Sequence, residues 1–436
     1  MLDSLLALGA LVLVLSLILV LQHFKVTLWL AILSGAPIIA LMTGLSPVKW
    51  PGIIFSSLTH NDFTLLALLV FLILLLSGVQ EASGQSRKMV RGIGQYLKSP
   101  RLRLVLFPAL VGLLPMPGGA LFSCPMVRDT AEGMDISDKK KALINYWFRH
   151  IWEMAWPLYP GYVLICALLG VPLAKFWLYT FPLVISSFAA GWFFLMRDLS
   201  PAVVAQLNAS LDDEKKEEKE PLGAVLLHTL PIAVVLIGAL VSGFLFDRFL
   251  PHVPSTLAFC VPMALAAGIA LYQGRGERAK PLRDIIITPA MRRIFLILAA
   301  IFVFKDTVAA SGLIETMSRL GDSRIMLLVT FILLPFVCGL LTGLMVGFVG
   351  LAFPLLIGIA LHSPLHEYTL PLVVLALIAG NCGQLLSPIH VCLVVTAEFF
   401  SNTVPTLMRA LVWPVLGLAT LGSVWVMALW LFNIRI

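Results

Sequence analysis

Runs of about twenty predominantly apolar residues, the length a helix needs to cross a bilayer, recur from Leu5 to Leu429, and no polar stretch between them is long enough for a soluble domain. The pattern predicts an all-α polytopic membrane protein with ten full spans, at about 4–22, 26–44, 62–83, 147–170, 174–197, 222–245, 253–273, 294–314, 368–398 and 407–431. Two further apolar stretches, about 101–127 and 323–361, are interrupted near the middle by Gly and Pro. Each reads as a re-entrant helix-turn-helix hairpin, because helix breakers at membrane depth are tolerated only where protein or a watery cavity receives the freed backbone groups.

Composition agrees with the pattern. Of 436 residues, 60% are hydrophobic and 12% charged, against about 25% charged in soluble domains, and the mean hydropathy is +0.99. The net charge of +7 does not imply nucleic acid, because the Lys and Arg residues sit in short loops between apolar runs, where they encode topology. Basic loops at Arg87–Arg103, Lys139–Lys141, Lys215–Lys219 and Arg275–Arg293 all fall on one side if the hairpins do not cross. That side is expected to be the cytoplasm of an inner membrane, with both termini in the periplasm. Met1-Leu2-Asp3 lacks the basic stretch and cleavage site of a secretory signal, so the first apolar run is expected to be a retained helix. The six cysteines lie in apolar surroundings with no metal-type spacing, which predicts small buried residues, no metal and no cofactor.

Sliding the sequence on itself by about 227–231 residues aligns three separated features. Glu81-Ala82-Ser83-Gly84 meets Ala309-Ala310-Ser311-Gly312, Gly112-Leu113-Leu114 meets Gly339-Leu340-Leu341, and Trp156-Pro157-Leu158 meets Ser387-Pro388-Ile389. With the charge-derived orientation the matched spans run in opposite directions. The expectation is an inverted repeat: residues 1–197 with the first hairpin, a charged cytoplasmic linker at 198–221, and residues 222–436 with the second. Such repeats typify secondary transporters, which bind substrate near the midplane at discontinuous helices.

Candidate chemistry gathers at the breaks. The first tip carries Pro115, Pro117, Gly118, Gly119 and Ser123, and its returning helix presents an N-terminus suited to an anion. The second tip is expected across Thr342–Gly350, with Gly347 as a substrate contact, although its glycine spacing also fits close helix packing. Arg149, His150, Glu153 and Tyr159 in the fourth span, and Gly380, Asn381, Gln384, Ser387 and His390 in the ninth, supply intramembrane polarity, which is costly unless paired or functional. Asn381, Gln384 and Ser387 are candidate substrate ligands. Gly380, Asn381 and Ser387, with His150 and Glu153 on one helix face, are candidate ion-coupling residues; a structural His150–Glu153 pair is the alternative. Lys305 and Asp306 read as a mutually neutralising structural pair, with a coupling site as the alternative.

The repeat, the PMPGGALFSCP tip and the GNCGQLLSP break together resemble an integral membrane protein family named only as domain of unknown function 401, grouped in the ion transporter superfamily with divalent anion:sodium symporters, gluconate and citrate carriers and some sodium/proton antiporters. The likeness covers essentially the whole chain. It implies an elevator mechanism in a homodimer, with spans one to three and six to eight as scaffold and the remainder, with the hairpins, as the moving domain. The apolar face Met89, Val90, Ile93 and Leu97 after the third span, flanked by Lys88, Arg91 and Lys98, fits the interfacial helix of that scheme. The Ser-Asn-Thr signature of the anion:sodium symporters is absent from both tips, and Asn381 and Ser387 echo it. The expected function is secondary transport of a small anion coupled to sodium or protons. The alternatives are a sodium/proton antiporter and, from another class, an intramembrane enzyme, which no HExxH-type spacing supports.

Overall fold

The computed structural model describes residues 24–97, 99–115, 119–132, 135–197, 220–250, 252–277, 281–318 and 323–432, together with residues 9, 13–14, 16–18, 20–22 and 199. It is all-helical, with no strand among the described residues. Seven helices among them are long and apolar enough to cross a membrane, and three shorter apolar helices accompany them. The protein is therefore membrane-embedded. Most of the predicted linker lies outside the described residues.

In chain order the first half contains α1 (Leu28–Met42), α2 (Trp50–Thr59), α3 (Asn61–Ala82), α4 (Gln85–Tyr96), α5 (Pro100–Gly112), α6 (Gly119–Thr130), α7 (Asp138–Arg149), α8 (Pro160–Leu169) and α9 (Leu173–Gly191). The second contains α10 (Leu222–Phe249), α11 (Ser255–Gln273), α12 (Leu282–Ile286), α13 (Pro289–Ala310), α14 (Leu313–Ser318), α15 (Arg324–Thr342), α16 (Met345–Leu361), α17 (Thr369–Leu385), α18 (Val391–Phe399) and α19 (Val404–Leu431).

Both Gly/Pro-interrupted stretches are helix pairs, α5 with α6 and α15 with α16. The second turn is tighter than the glycine pattern predicts. Gly343, at φ +61°, ends α15, Leu344 precedes α16, and Gly347 and Gly350 lie inside α16. Both predicted broken spans are broken. The fourth starts earlier than its apolar run, because Ser137 caps α7 by accepting from the Lys140 amide at 3.3 Å and Asp138 occupies the first turn. Lys139–Lys141 thus belong to the helix rather than to a loop. Residues 150–159 are non-helical, and Pro160 at the first helical position starts α8. In the ninth span α17 stops ahead of Pro388 and α18 resumes at Val391. Helix α2 is an element that the hydrophobic pattern does not anticipate.

Sequence-matched segments share local geometry. Ser83 and Ser311 are the C-cap residues of α3 and α13, and each is followed by a left-handed glycine, Gly84 at φ +71° and Gly312 at φ +69°. Each serine hydroxyl also donates to a carbonyl of its own helix at 2.7 Å. The packing partners correspond as well. Helix α1 lies against α13 and α11 against α3, while α6 meets α18 and α16 meets α8. The most buried elements are α16 and α17, whereas α10 exposes Leu226, Leu230, Ile237, Leu240 and Phe244. Helix α4 is amphipathic as expected, with Met89 and Val90 buried and Arg91 exposed, and its Lys88 reaches Glu277 at 2.8 Å.

Glycine permits the closest approaches. A Cβ on Gly112 would lie 2.1 Å from the Arg149 carbonyl oxygen, and one on Gly339 would lie 2.1 Å from that of Gly380. Each hairpin's first arm is thereby held against the adjacent broken span. Gly339→Ala is expected to destabilise the protein by about 1–3 kcal/mol, the usual cost of overpacking, whereas Gly268→Ala, where nothing lies within 4 Å, should be neutral or mildly stabilising. Unfolding curves of both variants in the same detergent provide the comparison.

Candidate functional site

Helix α5 ends with carbonyls that its own ladder cannot satisfy. The non-helical stretch of the fourth span supplies the donors: Trp152 Nε1 to Ala109 O at 2.9 Å, Trp156 Nε1 to Leu113 O at 2.7 Å, and Tyr159 OH to Gly112 O at 2.7 Å. The aromatic residues of this break thus fasten the first hairpin to the unwound chain. They also fix where the polar residues between them sit.

Glu153 is buried, and across from it stands the ninth span. Its Oε2 accepts from Gln384 Nε2 at 2.7 Å and from Asn381 Nδ2 at 3.5 Å, and its Oε1 is 4.0 Å from His150 Nε2. His150 and Glu153 are neighbours, but in the break and not on the continuous helix face expected from their spacing. Glu153 and Gln384, like His150 and Asn381, stand 231 residues apart, within the offset that aligns the two breaks in the sequence. Three buried oxygens nearby have no hydrogen-bond partner: Asn381 Oδ1, Gln384 Oε1 and Ser387 Oγ.

A second part of the cluster extends from α7 to α18. The Tyr146 hydroxyl lies 3.1 Å from Leu385 O and 3.0 Å from His390 Nδ1, and the His150 and His390 rings are 4.8 Å apart. Arg149 Nη1 donates to Cys392 Sγ at 3.4 Å. The Arg149 Nη2 also occupies the space that a Cβ on Gly119 would need, at 2.1 Å. A guanidinium is therefore held against the first residue of α6, the hairpin helix whose N-terminus carries partial positive charge.

Of the residues singled out from sequence, His150, Glu153, Asn381 and Gln384 converge. Ser387 lies beside the second tip, with its Oγ 3.0 Å from where a Gly343 Cβ would sit. Pro117 and Gly118 lie outside the described residues. Ser123 turns its hydroxyl back to Gly119 O and Ala120 O of its own helix. Gly347 packs on Thr342, and Gly380 packs on the Phe348 ring, where a Cβ would meet it at 2.4 Å, so both glycines serve close packing. Lys305 and Asp306 pair at 3.2 Å, about a third exposed, and stand apart from the cluster. Cys392 and Tyr146 are members that sequence reading missed; no spacing reveals them, because the chain brings them in from different halves.

A family model described as "Protein of unknown function (DUF401)" matches residues 7–430. The chain belongs to the DUF401 family. No curated protein matches it.

Gln384→Leu removes the shortest donor to a buried carboxylate and is expected to cost about 1.5–3 kcal/mol, the range for hydrogen bonds to charged groups. In the Glu153→Gln background the same substitution should cost much less. A double-mutant cycle on unfolding free energies reads that coupling.

Proposed function

We propose that this DUF401 protein is a secondary active transporter that moves a small anion across the inner membrane by an elevator-type movement of one domain against another. The observation that carries the reading is the meeting of the two broken spans at Glu153, Asn381 and Gln384. Discontinuous helices that converge within a membrane are where secondary transporters bind cargo and coupling ions. An inverted repeat of five spans plus one hairpin, ten spans in all, fits the matched caps of α3 and α13 and the reciprocal pairing of α1 with α13 and α3 with α11.

The anion assignment rests on charge. Arg149 brings a fixed positive charge to the start of α6, a helix end that itself favours anions. Sodium is the favoured coupling ion, because Asn381, Gln384 and Ser387 provide buried oxygens without partners, and hard cations take oxygen ligands. In this scheme α1–α4 and α10–α14 form the scaffold, and the exposed apolar surface of α10 faces lipid or a second protomer of a homodimer. Two cavities of about 220 and 230 Å³ follow the boundary between scaffold and moving parts. One is lined by Glu81, Pro115 and Thr288, the other by Asp62, Lys305, Leu168 and Gly358. In this reading the basic loops face the cytoplasm and both termini the periplasm, as the positive-inside tendency favours.

A second reading, sodium/proton antiport, is favoured by Glu153 as a buried carboxylate at the meeting point. Thermal stability of purified protein against a panel of small anions, each with sodium, with potassium and across pH, separates the two. Anion transport predicts a rise in melting temperature with one anion class that requires sodium, equivalent to about 2.7 kcal/mol at a hundred times Kd. The rise should be lost in Arg149→Gln and Asn381→Ala, and the same anion should accumulate in proteoliposomes under an inwardly directed sodium gradient. A response to sodium and pH with no anion effect would replace anion transport with antiport.

A further inference from the structure

His150, His390 and Cys392 each offer one ligand atom, and these atoms lie within 4.8 Å of one another. Two histidines and a cysteine gathered in a membrane interior call for a physical reason, and hydrogen bonding around the rings gives one. His150 Nδ1 faces the Tyr146 carbonyl oxygen. A carbonyl can only accept, so Nδ1 carries the proton and Nε2 presents its lone pair. That Nε2 is buried and has no hydrogen-bond partner.

The same logic fixes the second ring. His390 Nδ1 lies 3.3 Å from the Gln384 carbonyl, again an acceptor, and 3.0 Å from the Tyr146 hydroxyl. With the tyrosine's proton given to Leu385 O at 3.1 Å, the hydroxyl accepts toward His390, the arrangement that satisfies both the Leu385 and the Gln384 carbonyls. His390 therefore also carries its proton on Nδ1 and leaves Nε2 bare. Metal-binding histidines are prepared in this way, with the non-ligating nitrogen donating to a carbonyl or similar acceptor that sets tautomer and ring orientation.

We propose that His150 Nε2, His390 Nε2 and Cys392 Sγ form a binding site for a soft monovalent transition-metal cation of the cuprous type. Three atoms about 2.0–2.3 Å from a shared metal stand roughly 3.5–4 Å apart, and a nitrogen of each ring and the sulfur already lie within 4.8 Å of one another, so small side-chain adjustments close the set. Thiolate and imidazole together suit soft or borderline ions. Charge decides between the two common choices. Arg149 beside the sulfur and Glu153 beside His150 contribute one positive and one negative charge. Binding exchanges the thiol proton for the metal, forming the metal–sulfur bond and releasing one proton. The thiolate then leaves the set with a single net negative charge, which a monovalent cation neutralises and a divalent ion such as Zn²⁺ overshoots in a medium where uncompensated charge is costly. The inference does not depend on the cargo being an anion, because the site is defined by its own ligands.

The test is anaerobic titration of the purified full-length protein with Cu⁺ in competition with a chromophoric Cu⁺ chelator, with Zn²⁺ as a parallel arm. One Cu⁺ per chain is expected, with an affinity at least about 100-fold lower in Cys392→Ser and in His390→Asn, and unchanged in Cys260→Ala. X-ray absorption at the copper edge should report nitrogen and sulfur neighbours together. Size-exclusion profiles and melting temperatures of the apo variants establish that each is folded, and Cys392→Ser, which keeps a small polar side chain, serves if His390→Asn is not. Absence of stoichiometric Cu⁺ binding, Zn²⁺ binding without Cu⁺ binding, or Cu⁺ binding indifferent to folded Cys392→Ser would each overturn the proposal. These readouts are independent of the anion-dependent melting shift, so either reading can fail without the other.

Discussion

A helix that stops inside an apolar interior leaves carbonyl oxygens with no water to receive them, and the cost of several kcal/mol per group must be met by protein. The fold meets it with aromatic donors. Trp152, Trp156 and Tyr159 give their N–H and O–H groups to the last carbonyls of α5. Since those three residues belong to the unwound part of the fourth span, satisfying one broken element fixes the course of the other. Glu153, lying between Trp152 and Trp156 in the chain, is placed against Asn381 and Gln384 as a result. In the second half the corresponding contact is backbone against backbone, with Gly339 against Gly380 and Gly383 against Phe336 O, where a Cβ would lie at 2.0 Å. Both hairpins are thus held by bare glycine against a broken span, Gly112 at Arg149 O and Gly339 at Gly380 O, and the first adds aromatic donors.

How much of this is legible in the sequence depends on whether a feature is local. Hairpin interruptions, broken spans and the Ser-Gly helix ends are written in consecutive residues, and their positions follow from where Pro and Gly fall. The start of the fourth span is not, because Ser137 and Asp138 cap a first turn of lysines that reads as a loop by hydropathy. Helix α2, with Ser57 as its buried residue, is too exposed and too short to announce itself by periodicity. The glycines of the second tip were ambiguous for a related reason. Left-handed φ at Gly343 and close packing at Gly347 and Gly380 call for the same residue type.

The site is harder to read than the fold. Asn381, Gln384 and Glu153 stand out as polar residues in apolar runs, and the structure brings them together. Cys392 looks like any small buried residue, and its neighbours Arg149 and His150 come from the other half of the chain. Nor can spacing show that Tyr146 organises both imidazoles, since it does so with its backbone carbonyl on one side and its hydroxyl on the other.

Helix α16 is buried along nearly its whole length, and two of its glycines receive isoleucines from outside the hairpin: Gly350 takes Ile301 of α13, and Gly358 takes Ile314 of α14. Eight residues of helix separate the two notches, about 12 Å at 1.5 Å per residue. Pro354, midway between them on the same helix face, fills the surface between. In the elevator movement proposed above, travel of α16 along these helices would not be a smooth glide. Both isoleucines would have to climb out of their notches together, so the contact would act as a detent, with a defined resting register and a barrier whose height is set by how deeply two methyl-bearing side chains are seated.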